Sequence, residues 1–282
     1  MSNILNEKNG FSMPFLSGYA ELRIPILNSD GKPAWPDVFT AEKIDQIRKT
    51  VGERHFSAQM MLNYVPPDKI RLDPGGIKIY EDAFEPHYGR IGEYQITGAS
   101  VYWDPAGGHR NGDHSVCTLI YRDDNNRNVF IHDITYMIVP DSVEYPLSYQ
   151  CDLVLDFVRH HQMRNLTVET NGIGGALPEI LRDTVRRAGY GIQITPITNS
   201  RNKQDRILDA IEPLLSTGRL FAHRRITQSP FFSEMLAWTP IGGGEHDDGL
   251  DAVAGAIMSR PVPVRTTIDI NRRYVANTDF QI

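Results

Sequence analysis

The residues best suited to chemistry lie near the C-terminal end, in Gly244-Glu245-His246-Asp247-Asp248-Gly249-Leu250-Asp251-Ala252. Three aspartates there occupy about one helical turn, ahead of Ala252, Val253, Ala254, Ala256 and Ile257. Residues three or four apart share a helix face, so Asp251 aligns with Asp247 or Asp248. Like charges held that close raise one another's pKa unless a cation neutralises them. An acidic helix N-terminus, favoured by the macrodipole, accounts for Asp247 and Asp248. It does not account for Asp251 beside apolar neighbours. Two more carboxylates stand at strand ends. Asp104 closes the β-prone run 96–104 ahead of Pro105, Gly107 and Gly108, where turn chemistry is the alternative. Glu169 lies within Leu-Thr-Val-Glu-Thr, although strands are depleted in Glu.

Hard divalent cations such as Mg²⁺ take oxygen ligands from a few carboxylates and keep several waters. Two such ions about 4 Å apart can clamp an in-line phosphodiester displacement. Asp104, Glu169 and an aspartate of the 247–251 cluster supply the carboxylates such a site needs. His246 reads as a proton shuttle, a metal ligand or a polar neighbour of the helix cap. Asn171 either orients Glu169 or the attacking water, or serves the turn before Gly172. Lys203 and Arg206, one turn apart, either contact phosphates or lie on a solvated face. His109, His114 and Cys117 lack a fourth nearby ligand, which argues against a structural zinc site.

These residues need a scaffold that brings strand ends to a helix start. Residues 94–104, 115–121 and 128–137 read as three consecutive strands, with a hairpin signal at Asp123-Asp124-Asn125-Asn126. Helices are predicted over 146–161, 176–188, 202–216 and from Asp247 to about Ser259, with strands over 166–170 and 192–197. Pro213 sits late in the third of these helices and is expected to bend or shorten it. The pattern implies an α/β domain with a mixed central sheet flanked by helices, over 91–262. Residues 1–90 read as an N-terminal extension with one helix over 40–61, for which Thr40 can act as a cap. Residues 263–282 read as a tail.

The ordered set resembles the ribonuclease-H-like nucleases, and among them the nuclease domain of the large terminase subunit of tailed bacteriophages. The likeness is carried by Trp103-Asp104-Pro105-Ala106, Val168-Glu169-Thr170-Asn171-Gly172, Asn199 with Lys203, and His246-Asp247-Asp248 through Asp251-Ala252. It extends more weakly to Pro33-Ala34-Trp35-Pro36 and His55-Phe56-Ser57-Ala58-Gln59-Met60, which resemble the segment linking the terminase motor to its nuclease. The resemblance implies a ribonuclease-H-like fold and a metal-dependent endonuclease that cuts concatemeric viral DNA during packaging. It makes Asp104 the central ligand for Mg²⁺ or Mn²⁺, completed by Asp247 or Asp248, with Glu169 serving a second ion. Asp113 and Asp251 become outer ligands. Lys203, Arg206, Arg201 and Asn171 become candidate DNA contacts. Implied partners are double-stranded DNA, the portal, the small terminase subunit and a separate or missing ATPase domain, in the host cytoplasm. No Gly-x-x-x-x-Gly-Lys-[Ser/Thr] loop is present, so the expectation is an isolated nuclease portion: excised, from a split gene, or a remnant.

Bulk properties set outer bounds. With 282 residues, 40% hydrophobic and 23% charged, the chain fits one sizeable domain with an extension. No apolar run approaches the roughly 20 residues a membrane span needs, and the N-terminus lacks a secretory apolar core. Cys117 and Cys151, in apolar stretches, read as reduced core residues. The net charge of −6 argues against nonspecific coating of nucleic acid. Between Arg182 and Arg225, however, nine Lys and Arg face four Asp and Glu, and Arg260, Arg265, Arg272 and Arg273 follow. Two alternatives remain beside the packaging nuclease: a Holliday-junction-resolvase-like enzyme, and a catalytically silent module that docks DNA or a packaging partner.

Overall fold

Thr40 opens the first helix by accepting the Lys43 N–H on its Oγ1 at 3.3 Å, as its type and place predict. Helix α1 runs Ala41–His55 and passes into one π-helical turn, Phe56–Met60. The computed structural model describes residues 24–28, 30–62, 72–106, 113–123, 127–171, 175–240 and 246–264. Strands β1 (Lys78–Tyr80), β2 (Phe84–Glu85), β3 (Arg90–Ile91), β4 (Tyr94–Asp104), β5 (Ser115–Asp123) and β6 (Val129–Met137) follow. Then come α2 (Pro146–His160), β7 (Asn165–Glu169), α3 (Leu177–Arg187), β8 (Gln193–Ile197), α4 (Lys203–Ser216), β9 (Leu220–His223), α5 (Phe231–Ala237), α6 (Asp248–Met258) and β10 (Val262–Pro263).

The three long strands pair antiparallel, β4 with β5 and β5 with β6. Residues 124–126 of the expected hairpin turn lie outside the described residues, but Asp123 secures the far side. Its Oδ1 accepts the backbone N–H groups of Arg127 and Asn128 at 3.0 and 2.9 Å. The other edge of β4 is divided along its length. β3 pairs at Tyr94 and Gln95, β10 at Gly98 and Ala99, and β7, in parallel, at Tyr102 and Trp103. β8 continues in parallel from β7. This is the mixed central sheet the element order implied.

Both faces of the sheet are covered, which is why β4 and β5 read as nearly continuous apolar runs. Val101, Trp103, Cys117 and Leu119 pack with Cys151, Val154 and Val158 of α2 and Leu181 of α3. Tyr102, Val116 and Ile120 face the opposite way, with Ile207 and Ile211 of α4, Trp238, and Leu250, Val253 and Ala256 of α6. Cys117 and Cys151 are free and buried, as expected. Helix α6 lies very close to the sheet, and glycine is what permits it. A Cβ at Gly255 would stand 2.4 Å from the Tyr102 ring, and one at Gly249 would collide with the Tyr136 hydroxyl.

The structure draws the edges of the domain differently from the sequence reading. The expected extension 1–90 contributes three strands to the sheet, with β1 parallel to the unanticipated β9. Such strands of two to four residues carry too little periodicity to be read before their partners are known. Val262–Pro263, at the expected boundary with the tail, pairs with β4, and 265–282 lie outside the described residues. Pro213 leaves α4 running three residues further, to Ser216. Among the described residues no helix is long and apolar enough to cross a membrane.

Candidate metal centre

The parallel register of β4 and β7 brings the first two carboxylates together. Tyr102 pairs with Thr167 and Trp103 with Val168, so Asp104 and Glu169 are the next residues on adjacent strands. Helix α6 then presents Asp247 as its N-cap residue and Asp248 and Asp251 in its first turn. Asp247 makes no side-chain capping bond, so helix capping does not explain it. All three aspartates are buried, as is Glu169.

Burial of so many carboxylates is costly unless they are paired and hydrogen-bonded. Two cations from the start of α4 supply the pairing. Lys203 Nζ stands 2.6 Å from Asp247, 3.5 Å from Asp248 and 3.7 Å from Asp251. Arg206 donates to Asp251 Oδ1 from Nε at 2.8 Å and from Nη2 at 2.5 Å, and its Nη2 lies 3.6 Å from Glu169. Burial pulls the Arg206 pKa down, but the hydrogen bond and charge of Asp251 outweigh it and the net shift is upward. Lys203 is likewise pushed above its ordinary value, its burial outweighed by Asp251, Asp247 and Asp248.

This arrangement corrects the sequence reading of α4. Arg206 was expected on a solvated or phosphate-contacting face, yet it is only 4% exposed. The physical reason is Asp251, a buried charge that arrives from another helix and requires a partner. Asp251 in turn is part of the buried cluster. Arg201 does lie on the surface, where it pairs with Asp209 at 2.6 Å. Asp113 is exposed, and its neighbour His114 reaches the cluster instead, donating its backbone N–H to Asp248 Oδ2 at 2.7 Å. His109 lies outside the described residues, and Cys117 faces α2 on the other side of the sheet.

Glu169 is held by groups the sequence reading did not assign to it. Tyr102 donates its hydroxyl to Oε2 at 2.6 Å, and Asn199 Nδ2 donates to the same oxygen at 2.8 Å. Asn171 acts one step back, donating to the Asn199 carbonyl at 2.6 Å and accepting the Asn199 N–H at 2.9 Å. Tyr102 gave no local signal because it reads as one more apolar strand residue. Its phenol is held well above its ordinary pKa by burial and by the Glu169 carboxylate.

Asp104 is the least neutralised of the set. Burial, then the charges of Asp251 and Glu169, raise its pKa well above the ordinary value, against the opposing pull of Lys203 and Arg206. Asp251 is raised as well, by burial first. The donor set is all hard oxygen, and the field at Asp104 is one that a divalent cation would relieve. In donor chemistry the residues present suit such an ion.

Residues 94–220 match the family model described as the ribonuclease-H-like domain of the bacteriophage T7 terminase. The P22 large terminase nuclease domain aligns at 14% identity and a TM-score of 0.49, over 71% of this chain and 97% of that one. A human cytomegalovirus terminase nuclease domain aligns at 14% identity and a TM-score of 0.42, over 59% and 84% of the two chains. A variant of the large-terminase nuclease domain of the bacterial virus Sf6, with manganese and β-thujaplicinol, aligns at 10% identity and a TM-score of 0.41, over 58% and 89%. No curated protein matches the chain in sequence.

Proposed function

We propose, from the match of residues 94–220 to the family model of the bacteriophage T7 terminase ribonuclease-H-like domain, that this chain is a divalent-metal-dependent endodeoxyribonuclease acting on concatemeric viral DNA during genome packaging. The observation that carries the reading is the placing of Asp104 and Glu169 at neighbouring parallel strand ends, with the aspartates of α6 gathered on the same side. Asp104 with Asp247 or Asp248 would hold one ion, and Asp104 with Glu169 a second, as Mg²⁺ or Mn²⁺. Bound ions of this kind supply positive charge at a phosphodiester and make water a stronger nucleophile.

The chain's own residues prepare that site. Tyr102 and Asn199 leave Glu169 one orientation, and Asn171 fixes the segment that carries Asn199. Arg206 ties Asp251 toward Glu169, so the strand and helix carboxylates keep their spacing. Lys203 offsets the charge of Asp247, Asp248 and Asp251 when no metal is bound. Partners in this reading are double-stranded DNA, with the portal and small terminase subunit of a packaging assembly.

Plasmid cleavage tests the proposal. Mg²⁺ or Mn²⁺ should support conversion of supercoiled plasmid to linear DNA, and excess chelator should stop it. Asp104→Asn removes the shared ligand and several kcal/mol of charge stabilisation, roughly a thousand-fold in rate. Cleavage that survives Asp104→Asn or persists in chelator would overturn the metal mechanism. Strong preference for four-way junctions would shift the assignment to a resolvase.

A further inference from the structure

Beside the carboxylate cluster stands a second group of ligand atoms with different chemistry. His114, His246 and Asp248 each place one ligand atom within 4.8 Å of the other two. We propose that these three residues form a binding site for a single borderline divalent cation, of the Zn²⁺ or Co²⁺ type, distinct from the all-oxygen site. The inference goes beyond the nuclease reading and stands on its own geometry.

Asp248 divides its two oxygens between the neighbourhoods. Its Oδ1 faces Lys203 at 3.5 Å. Its Oδ2 accepts the His114 backbone N–H at 2.7 Å and lies 3.5 Å from the His114 ring Nδ1. The lead-in to β5 therefore aims one carboxylate oxygen at the imidazole of the same residue. That Nδ1 is buried and has no hydrogen-bond partner, and a buried polar atom left unsatisfied costs free energy that a cation would recover. The His246 ring meets the His114 ring edge to face, with centroids 5.5 Å apart. His246 is exposed, which gives an entry path and freedom to adjust.

The donor set decides the metal. Two imidazole nitrogens and one carboxylate suit zinc and its neighbours, whereas Mg²⁺ prefers oxygen and surrenders water reluctantly. Three protein ligands leave a fourth tetrahedral position open. Bonds of about 2.1 Å set tetrahedral ligand atoms roughly 3.4 Å apart, so from separations of up to 4.8 Å the trio must close by no more than about 1.4 Å. Rotation of the exposed His246 side chain can supply that movement.

Co²⁺ titration followed by visible absorption tests this in the full chain, with excess Mg²⁺ present to occupy the oxygen site. The expected result is a saturable d–d band at one equivalent, displaced by Zn²⁺. It should be retained in Asp104→Asn and lost in His246→Ala, with Zn²⁺ affinity falling at least about tenfold. His114→Ala should lose the band as well, and the exposed His246 keeps the test valid if that variant folds poorly. Absence of a saturable band, a band unchanged in His246→Ala, or one abolished by Asp104→Asn would overturn the proposal. The spectrum does not depend on DNA cleavage, so failure of the nuclease reading would leave it readable.

Discussion

Arg206 grips Asp251 with two donors on one oxygen, Nε at 2.8 Å and Nη2 at 2.5 Å, inside the protein. The two residues sit on α4 and α6, so the pair pins one helix to the other. The same guanidinium also faces Glu169 at 3.6 Å. A single side chain thus sets the spacing between a strand carboxylate and a helix carboxylate.

Removing one member of such a pair strands the other. Arg206→Met should destabilise the protein by about 3 kcal/mol, because Asp251 is left buried without its hydrogen-bonded partner and with only the more distant Lys203, at 3.7 Å, as counter-charge. Adding Asp251→Leu should restore much of the loss, since a buried ion pair can be replaced by apolar groups. Urea unfolding of both variants checks this, and an unchanged midpoint in Arg206→Met would contradict it.

Lys203 should be exchangeable in part for metal. Without it, Asp247 and Asp248 lose their nearest cation while Asp251 keeps Arg206, and metal-free Lys203→Ala should be less stable by about 1–2 kcal/mol, discounted for the partial exposure of the lysine. Millimolar Mn²⁺ should then raise the melting temperature more in the variant than in the parent, since only the folded state gathers the ligands. Melting curves with and without Mn²⁺ decide the matter, and equal gains would show that Lys203 does not stand in for the cation.

Tyr102→Phe removes one of the two donors on Glu169 Oε2 and leaves Asn199 in place. Metal affinity and cleavage rate should fall by about 10–100-fold, as when partners of metal ligands are lost, with little change in folding. Calorimetric Mn²⁺ binding unchanged in this variant would remove Tyr102 from the positioning of Glu169.

Metal-free stability should decline as pH rises through neutrality. Burial, with the charge of Asp248 adding to it, lifts Glu234 from its ordinary 4.5 to about 7, despite the hydrogen bond from the Leu250 backbone N–H. A carboxyl raised on folding contributes stability that is fully present below about pH 4.5 and lost as pH passes about 7. The shift corresponds to at most about 3 kcal/mol, and Asp104 acts in the same direction. Glu234→Gln should flatten this part of the profile between pH 5 and 8. Parallel profiles for the two proteins would refute the assignment.

Much of this fold is written locally in the chain. The span Tyr94–Asp104, the α2 face of Cys151, Val154 and Val158, and the Thr40 cap each depend on neighbours within a few residues. The strand-end carboxylates were legible for the same reason: Glu169 breaks the composition of its own strand. Short elements were not. β1 and β9 exist because they pair with each other and because β9 also pairs with β6, and pairing between distant segments leaves no periodic trace in three or four residues.

The site itself divides in the same way. By residue type and order alone, the chain singled out Asp104, Glu169 and the aspartates of 247–251 as candidates for one site. Only the tertiary structure decided which of their neighbours are buried with them. Arg206 on α4 looks like any solvated arginine until Asp251, 45 residues later, packs against it. Tyr102 looks apolar until the β4–β7 register sets Glu169 beside its hydroxyl, and His114 looks unrelated to His246 until α6 settles on the sheet. Burial and pairing of charge are properties of who meets whom, and that is set by packing between distant segments, where local spacing carries no information.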